Sequence, residues 1–268
     1  SIGHAQAGKL ECSLIQAGAL SVKVKFACCY GGPSIESVCD ELLSAGMKHL
    51  IFLPLYPQYS ETTTGVALHR ILNILSPCQG GCAFKCRLPK RCQRERALDP
   101  DHISFIKSYA KDPFYIKAIL QSITSYFKTH GVPDHLVISF HGLPKRCIDR
   151  GDPYAQQCKQ TFDLIQSELK LPKKFLKMSF QSRFGYEEWL MPSTQTVLKE
   201  YAISGVKRIA VICPGFASDC LETLEEVSVQ FSDVFKQAGG EVFHYIPALN
   251  DSGPGIKLLS SLLEQARA

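Results

Sequence analysis

The chain of 268 residues carries 45% hydrophobic and 21% charged residues. That composition excludes a disordered or collagen-like chain and suffices for one large α/β domain or two lobes. Its apolar runs, such as His49 to Tyr56 and Ile209 to Cys213, fall far short of the roughly 20 residues that a membrane-spanning helix needs. The formal charge of +5 is mild, and the dense basic stretch Lys85 to Arg96 is too short to argue for a nucleic-acid partner. Twelve cysteines, several in strand-like runs such as Cys28, Cys29 and Cys213, are too sparse for a disulfide scaffold and imply a reducing, cytoplasmic setting. Residues Ser1 to Lys9 show no targeting pattern.

From Val22 the run VKVKFACCY reads as a strand, followed by a Gly-Gly-Pro turn and a helix over Ser34 to Ala45. Ser34 or Ser37 caps that helix and Gly46 ends it. A second strand, His49 to Leu53, completes a βαβ unit, which implies parallel pairing and a right-handed crossover. The alternation returns over Leu136 to Phe140, a helix from Tyr154 to Leu169, Leu176 to Phe180, Thr194 to Ser204, Arg208 to Cys213 and a long helix to Ala238. Such alternation predicts the α/β class with parallel sheets.

The stretch AGMKHLIFLPLYPQYSETTT from Ala45 parallels SGVKRIAVICPGFASDCLETL from Ser204 with one inserted residue. Gly46 answers to Gly205, Pro54 to Pro214, Tyr56 to Phe216 and Thr63 to Thr223. The spacing is too long for a solenoid and suits a duplicated lobe. We therefore expect two Rossmann-like lobes: residues 1–135, with a Cys-rich insertion near 77–102, and residues 136–268, whose final helix packs back on the first lobe. In open parallel sheets the ligand site lies beyond the carboxyl ends of the strands. The segments after Leu53, Phe140, Phe180 and Cys213 should line the cleft.

His141, at the end of its strand, is a candidate for chemistry, with a histidine bonded into a turn as the alternative. Asp219, Glu222, Glu225 and Glu226 open the helix after Cys213. Asp219, Glu222 and Glu226 share one face at three- and four-residue spacing. Acidic residues in a first turn answer the helix dipole, but three on one face repel unless a cation or a proton relieves them. Imidazole plus carboxylates suits a releasable divalent metal such as ferrous iron. The segment QSRFGYEEWLMP, with Arg183, Phe184, Trp189, Leu190 and Met191, would form an apolar wall with one cation for a large flat ligand, or else core packing with a surface Arg. Cys78, Cys82, Cys86 and Cys92 follow a C-x3-C-x3-C-x5-C spacing that matches neither zinc ribbons nor ferredoxin runs.

SFHGLPKR with GDPYAQQC, SFQSRFGYEEWL and CPGFASDCLETLEE, together with YGGPSIES and LPLYPQYSETTTG, resemble the ferrochelatase family, most closely its bacterial protoporphyrin type. The resemblance implies two Rossmann-like lobes around a porphyrin cleft and insertion of Fe2+ into protoporphyrin IX with loss of two pyrrole protons, the last step of haem biosynthesis. It puts the family's active-site histidine on His141 and its essential glutamate on Glu222, with Asp219 and Glu226 in the acidic row. These four are the expected metal ligands; the division between iron ligand and proton acceptor stays open, and His141 is favoured as the acceptor with the carboxylates passing the metal. Tyr56, Ser139, Arg183, Trp189 and Phe216 are the expected porphyrin contacts. Protoporphyrin IX and ferrous iron are the expected partners, with the iron as substrate, no cofactor required, no nucleic acid, and peripheral contact with a membrane compatible with so apolar a substrate.

The L-x-N-L-G-T-P type motif with which family members begin is not found before Val22, so the resemblance implies an incomplete N-terminal lobe. Animal members hold an iron-sulfur cluster through a cysteine after a PQYS-like stretch and three more in a C-terminal tail. Glu61 stands at the first of those positions and Ala268 ends the chain, so no cluster of that type is expected. Competing readings are a cobalt or nickel tetrapyrrole chelatase, a non-catalytic porphyrin- or haem-binding fragment, and a thiol-based metal or redox protein resting on Cys78 to Cys92.

Overall fold

The computed structural model of the chain describes residues 1–19, 21–75 and 102–267. The predicted Cys-rich insertion, with Cys78, Cys82, Cys86 and Cys92, and the basic stretch from Lys85 to Arg96 lie outside the described residues. The chain opens with α1 (Ile2–Gln16), α2 (Ile35–Ser44) and β1 (Leu50–Phe52), then a π-helical turn (Glu61–Gly65) that runs into α3 (Val66–Leu75), and β2 (Ile103–Phe105). It continues through α4 (Pro113–His130), β3 (His135–His141), α5 (Lys145–Asp149), α6 (Tyr154–Leu169), β4 (Leu176–Gln181), α7 (Thr194–Ile203) and β5 (Arg208–Ile212). A π-helix (Glu222–Phe231) then passes into α8 (Ser232–Gln237), and β6 (Val242–Ile246) and α9 (Gly253–Arg267) close the chain.

Among the described residues the strands pair in parallel: β1 with β2 in one sheet, and β4-β3-β5-β6 in the other. Strand β3 is central and apolar on both faces, as a covered parallel sheet requires. Leu136, Ile138 and Phe140 face one layer with Tyr115, Ile116, Ile119 and Ile123 of α4, Ile165 of α6 and Leu258 of α9. Val137 faces the other, with Val197, Leu198, Val227, Phe231 and Phe235. The second face of α9 carries Ile256 and Leu259 against Leu10 and Leu14 of α1.

The two copies of the sequence repeat fold alike. Gly46 and Gly205 end their helices at φ 82° and 92°, a left-handed turn that glycine adopts without Cβ strain. Both copies then run through a short parallel strand to a helix that opens in π form, at Glu61 and at Glu222.

One expected strand is corrected. Residues 22–30 carry no sheet strand, and β1 pairs with β2, a segment whose three residues gave no pattern to read. Val22 and Val24 do alternate onto the α1–α9 cluster, which produces the strand-like signal. The backbone there is satisfied differently: the Val24 amide donates to the Glu11 carboxylate at 2.7 Å, the Cys28 amide donates to the Pro33 carbonyl at 2.8 Å, and the Arg70 guanidinium reaches the Cys29 carbonyl. Side-chain periodicity reports which face is buried and says nothing about what the backbone bonds. Helix α4 also went unread, although Asp112 caps it by accepting from the Phe114 and Tyr115 amides with Pro113 at its first position, a recognisable start signal.

Candidate active site

The register of the four-stranded sheet sets His141 opposite Gln181 and Ile138 opposite Ile212, so β3, β4 and β5 deliver their following residues to the same edge. His141 is half-buried there. Its Nδ1 lies 2.6 Å from the Gly142 carbonyl oxygen. A carbonyl only accepts, so Nδ1 carries a hydrogen, which leaves Nε2 as the ring nitrogen available for proton exchange. The backbone beneath is held at both ends of one peptide unit: the Tyr154 hydroxyl donates to the His141 carbonyl at 3.0 Å, and the Gly142 amide donates to the Gln181 carbonyl at 2.7 Å. The Phe216 ring lies 6.2 Å from the imidazole between centroids.

The acidic row predicted for the next helix is corrected in part. Residues Glu222–Phe231 form a π-helix, whose i→i+5 hydrogen bonds make a wider turn than the α-helix that the spacing assumed, and Asp219 precedes it. The Asp219 carboxylate accepts from the Tyr245 hydroxyl at 2.5 Å, the Asn250 amide group at 2.6 Å and the Thr223 hydroxyl at 3.0 Å. Glu226 accepts from the Ser182 amide at 2.7 Å and the Ser182 hydroxyl at 2.5 Å, one oxygen each. Glu225 is exposed. Glu222 lies near enough to His141 for a charge on the imidazole to act on its carboxylate. A hydrogen bond from the Cys220 thiol holds Glu222 below the usual carboxylate range against the opposing effect of burial, and His141 adds to it. Burial and that same bond push the Cys220 thiol up to about 12, so it stays a donor. Among the described residues no three His, Cys, Asp or Glu side chains converge to hold a metal ion.

The loop after β4 is anchored at both ends. Ser182, at φ 61°, is clamped by Glu226. At the far end Lys145 and Arg146 pair with Glu188 and Glu187 at 3.2 and 2.9 Å, and the Leu190 amide donates to the Leu143 carbonyl at 3.0 Å. Between these anchors Arg183, Phe184 and Tyr186 stand in solvent, and Met191 follows, also exposed. Trp189 lies against Gly142, where a Cβ would stand 3.0 Å from the indole ring. Tyr56, 40% exposed, follows the β1 segment, and partial desolvation together with the nearby Cys29, Cys220 and Glu222 pushes its phenol up. It therefore shares the neighbourhood of Glu222 from the other half of the repeat.

Ser139 is a further correction, because it is fully buried and bonds to Gln181 Oε1 at 2.7 Å and the Thr194 hydroxyl at 2.8 Å. Two residues before His141, it shares that residue's face of β3 but lies deeper below the strand end, where Gln181 and Thr194 enclose its hydroxyl. Residues missed from sequence are Tyr154, Gln181 and Cys220. Gln181 joins Ser139, Cys213 Sγ at 3.1 Å and, through Nε2, the Glu222 carbonyl at 3.2 Å. Each stands inside a motif already singled out and beside a candidate, which was the available signal. A groove of about 650 Å³ along α1 and α9, touching Lys9, Phe114, Asp251 and Lys257, contains none of these residues.

The ferrochelatase family model matches residues 1–267. The ferrochelatase of Yersinia enterocolitica is 44% identical over 242 residues, covering 90% of this chain and 69% of the relative. Those of Sodalis glossinidius and Klebsiella pneumoniae are 42% and 44% identical, covering 91% and 87% of this chain and 68% and 67% of the relatives. Among solved structures, SirB from Bacillus subtilis with Fe3+ aligns at TM-score 0.65 and 14% identity over 99% of this chain and 90% of that one. CbiX, the terminal enzyme of sirohaem biosynthesis in denitrifying bacteria, aligns at 0.59 and 12% over 98% and 90%. These two likenesses show a shared chelatase fold, and the sequence matches go further: the chain belongs to the ferrochelatase family.

Proposed function

We propose that the chain is a metal-inserting lyase that places ferrous iron in protoporphyrin IX to form protohaem. The observation that carries the chemistry is an imidazole whose Nδ1 is tied to a backbone carbonyl, which leaves Nε2 for the substrate, near a carboxylate held below its usual range, His141 and Glu222. Metallation removes two pyrrole N–H protons as Fe2+ binds the four nitrogens, so the site needs a base and an anion in reach of the ring. His141 Nε2 accepts the two pyrrole protons one after the other, passing the first to solvent from its half-buried position before taking the second. Glu222, with its pKa lowered by the hydrogen bond from the Cys220 thiol, stays ionised and is suited to holding the cation. Asp219 and Glu226 frame this pair, as their oxygens accept from protein donors.

Phe216 and Trp189 supply apolar surface for the ring beside His141, and Tyr56 supplies it from the other half of the repeat. Arg183, exposed at the loop apex, is the cation for a ring carboxylate. No resident cofactor is invoked. Among the described residues no helix is long and apolar enough to cross a membrane. We place the protein in the cytoplasm, with the exposed Phe184, Tyr186 and Met191 as the face for peripheral contact with a membrane that dissolves the porphyrin. The sequence relatives favour this reading over a cobalt or nickel chelatase.

The test is anaerobic incubation of the purified chain with Fe2+ and protoporphyrin IX, following haem by absorbance. Loss of the base in His141→Ala should slow formation by roughly a hundredfold or more. An unchanged rate in His141→Ala overturns the assignment of the base. Porphyrin binding without insertion by the wild-type chain would instead identify a non-catalytic binder.

A further inference from the structure

We infer that Tyr154 is a positioning residue for the reaction: its hydroxyl, donated to the His141 carbonyl at 3.0 Å, holds the strand-end peptide that aims the imidazole. The inference rests on the reading of His141 as the base.

The 141–142 peptide lies where β3 stops, and the residue that follows is a glycine, which places little local restraint on it. Three hydrogen bonds replace that restraint. Tyr154 takes the carbonyl end, the Gln181 carbonyl takes the amide end at 2.7 Å, and the Gly142 carbonyl receives Nδ1 of His141 at 2.6 Å. The last bond selects the Nδ1–H tautomer and exposes Nε2, and it forms only while the first two keep the peptide plane in place.

Tyr154 is itself buried and fixed. Its amide donates at 3.0 Å to one oxygen of Asp152, whose other oxygen accepts from the Ser60 hydroxyl at 2.8 Å and the Glu61 amide at 2.9 Å. The hydroxyl that holds His141 is thus tied, through one buried carboxylate, to the π-helical turn of the first copy of the repeat. That tie places Tyr154 relative to both copies, so the hydroxyl can set the imidazole against a ring lying between them.

Tyr154→Phe removes the hydroxyl and keeps the ring. Ile165→Val, at a fully buried position on the same helix, is a control with a comparable loss of stability. Tyr154→Phe should lower kcat roughly five- to tenfold, the worth of one hydrogen bond, with the KM for porphyrin and for iron unchanged. Ile165→Val should leave kcat unchanged. Long-range 1H–15N spectra of His-labelled protein should show His141 as Nδ1–H in the wild type and as a mixture of tautomers in Tyr154→Phe. A wild-type kcat in Tyr154→Phe, a kcat loss matched by Ile165→Val, or an unchanged tautomer overturns the inference. Should the wild-type chain make no haem, the functional reading fails, and the tautomer measurement still decides whether Tyr154 aims His141.

Discussion

Gly142 offers the sharpest test of how the site is built. A Cβ added there would stand 2.6 Å from the Gln181 carbonyl oxygen and 3.0 Å from the Trp189 ring. The first contact is with backbone and cannot be relieved by a rotamer. Gly142→Ala must therefore push the end of β3 away from β4 and weaken the bond from the Gly142 amide to Gln181. Overpacking costs about 1–3 kcal/mol and the loosened buried hydrogen bond about 1 kcal/mol more, for a total of about 2–4 kcal/mol. For a chain of this size that corresponds to roughly 5–15 °C in Tm. Because the strained peptide carries His141, haem formation should fall more than tenfold even below the melting range. Gly215→Ala is the control, since its nearest neighbours would lie at 3.6 Å, an ordinary contact, and it should melt close to wild type. Thermal unfolding and the anaerobic haem assay measure both effects. A Gly142→Ala protein with wild-type Tm and rate would refute the close approach as the reason for glycine.

Glu226 and Ser182 make a second test: a glutamine retains an acceptor for the Ser182 amide and a group that can bond its hydroxyl. Glu226→Gln should keep haem formation within about threefold, whereas Glu226→Ala releases Ser182 from its left-handed conformation and should raise the KM for porphyrin. A large rise in the KM for iron in Glu226→Gln would instead make Glu226 a metal ligand. A third concerns pH and stability. Burial lowers the His244 pKa from its ordinary 6.5, and the His130 and Arg208 charges lower it further. The unfolded chain then takes up a proton that the folded chain refuses, so stability falls as pH drops through 6.5 towards the folded value. His244→Phe keeps a ring against Tyr126 and should flatten the decline in denaturation midpoint between about pH 7.5 and 5.5. Equal slopes in the two proteins would remove His244 as its source.

The α/β class, the central apolar strands and the duplication are readable from the order of residues because burial on both faces writes a continuous apolar run, and a duplicated turn keeps its glycine, as at Gly46 and Gly205. His141 and Glu222 are readable because strand ends and first helical turns are local features. Other properties depend on atoms distant along the chain. Val22 to Tyr30 alternates like a strand, yet its backbone bonds to Glu11, Pro33 and Arg70. Asp219 and Glu226 look like partners of Glu222 by spacing, yet Tyr245, Asn250 and Ser182 take up their carboxylates. Ser139 sits in the most telling motif and on the same strand face as His141, yet it is buried below the strand end with Gln181 and Thr194 on its hydroxyl. Periodicity fixes which direction a side chain leaves its own element. What it meets there, and hence whether a carboxylate is free for a cation or an imidazole is held for a proton, is set by hydrogen bonds between segments far apart along the chain, such as Tyr115 with Pro214 and Gln6 with Asn250.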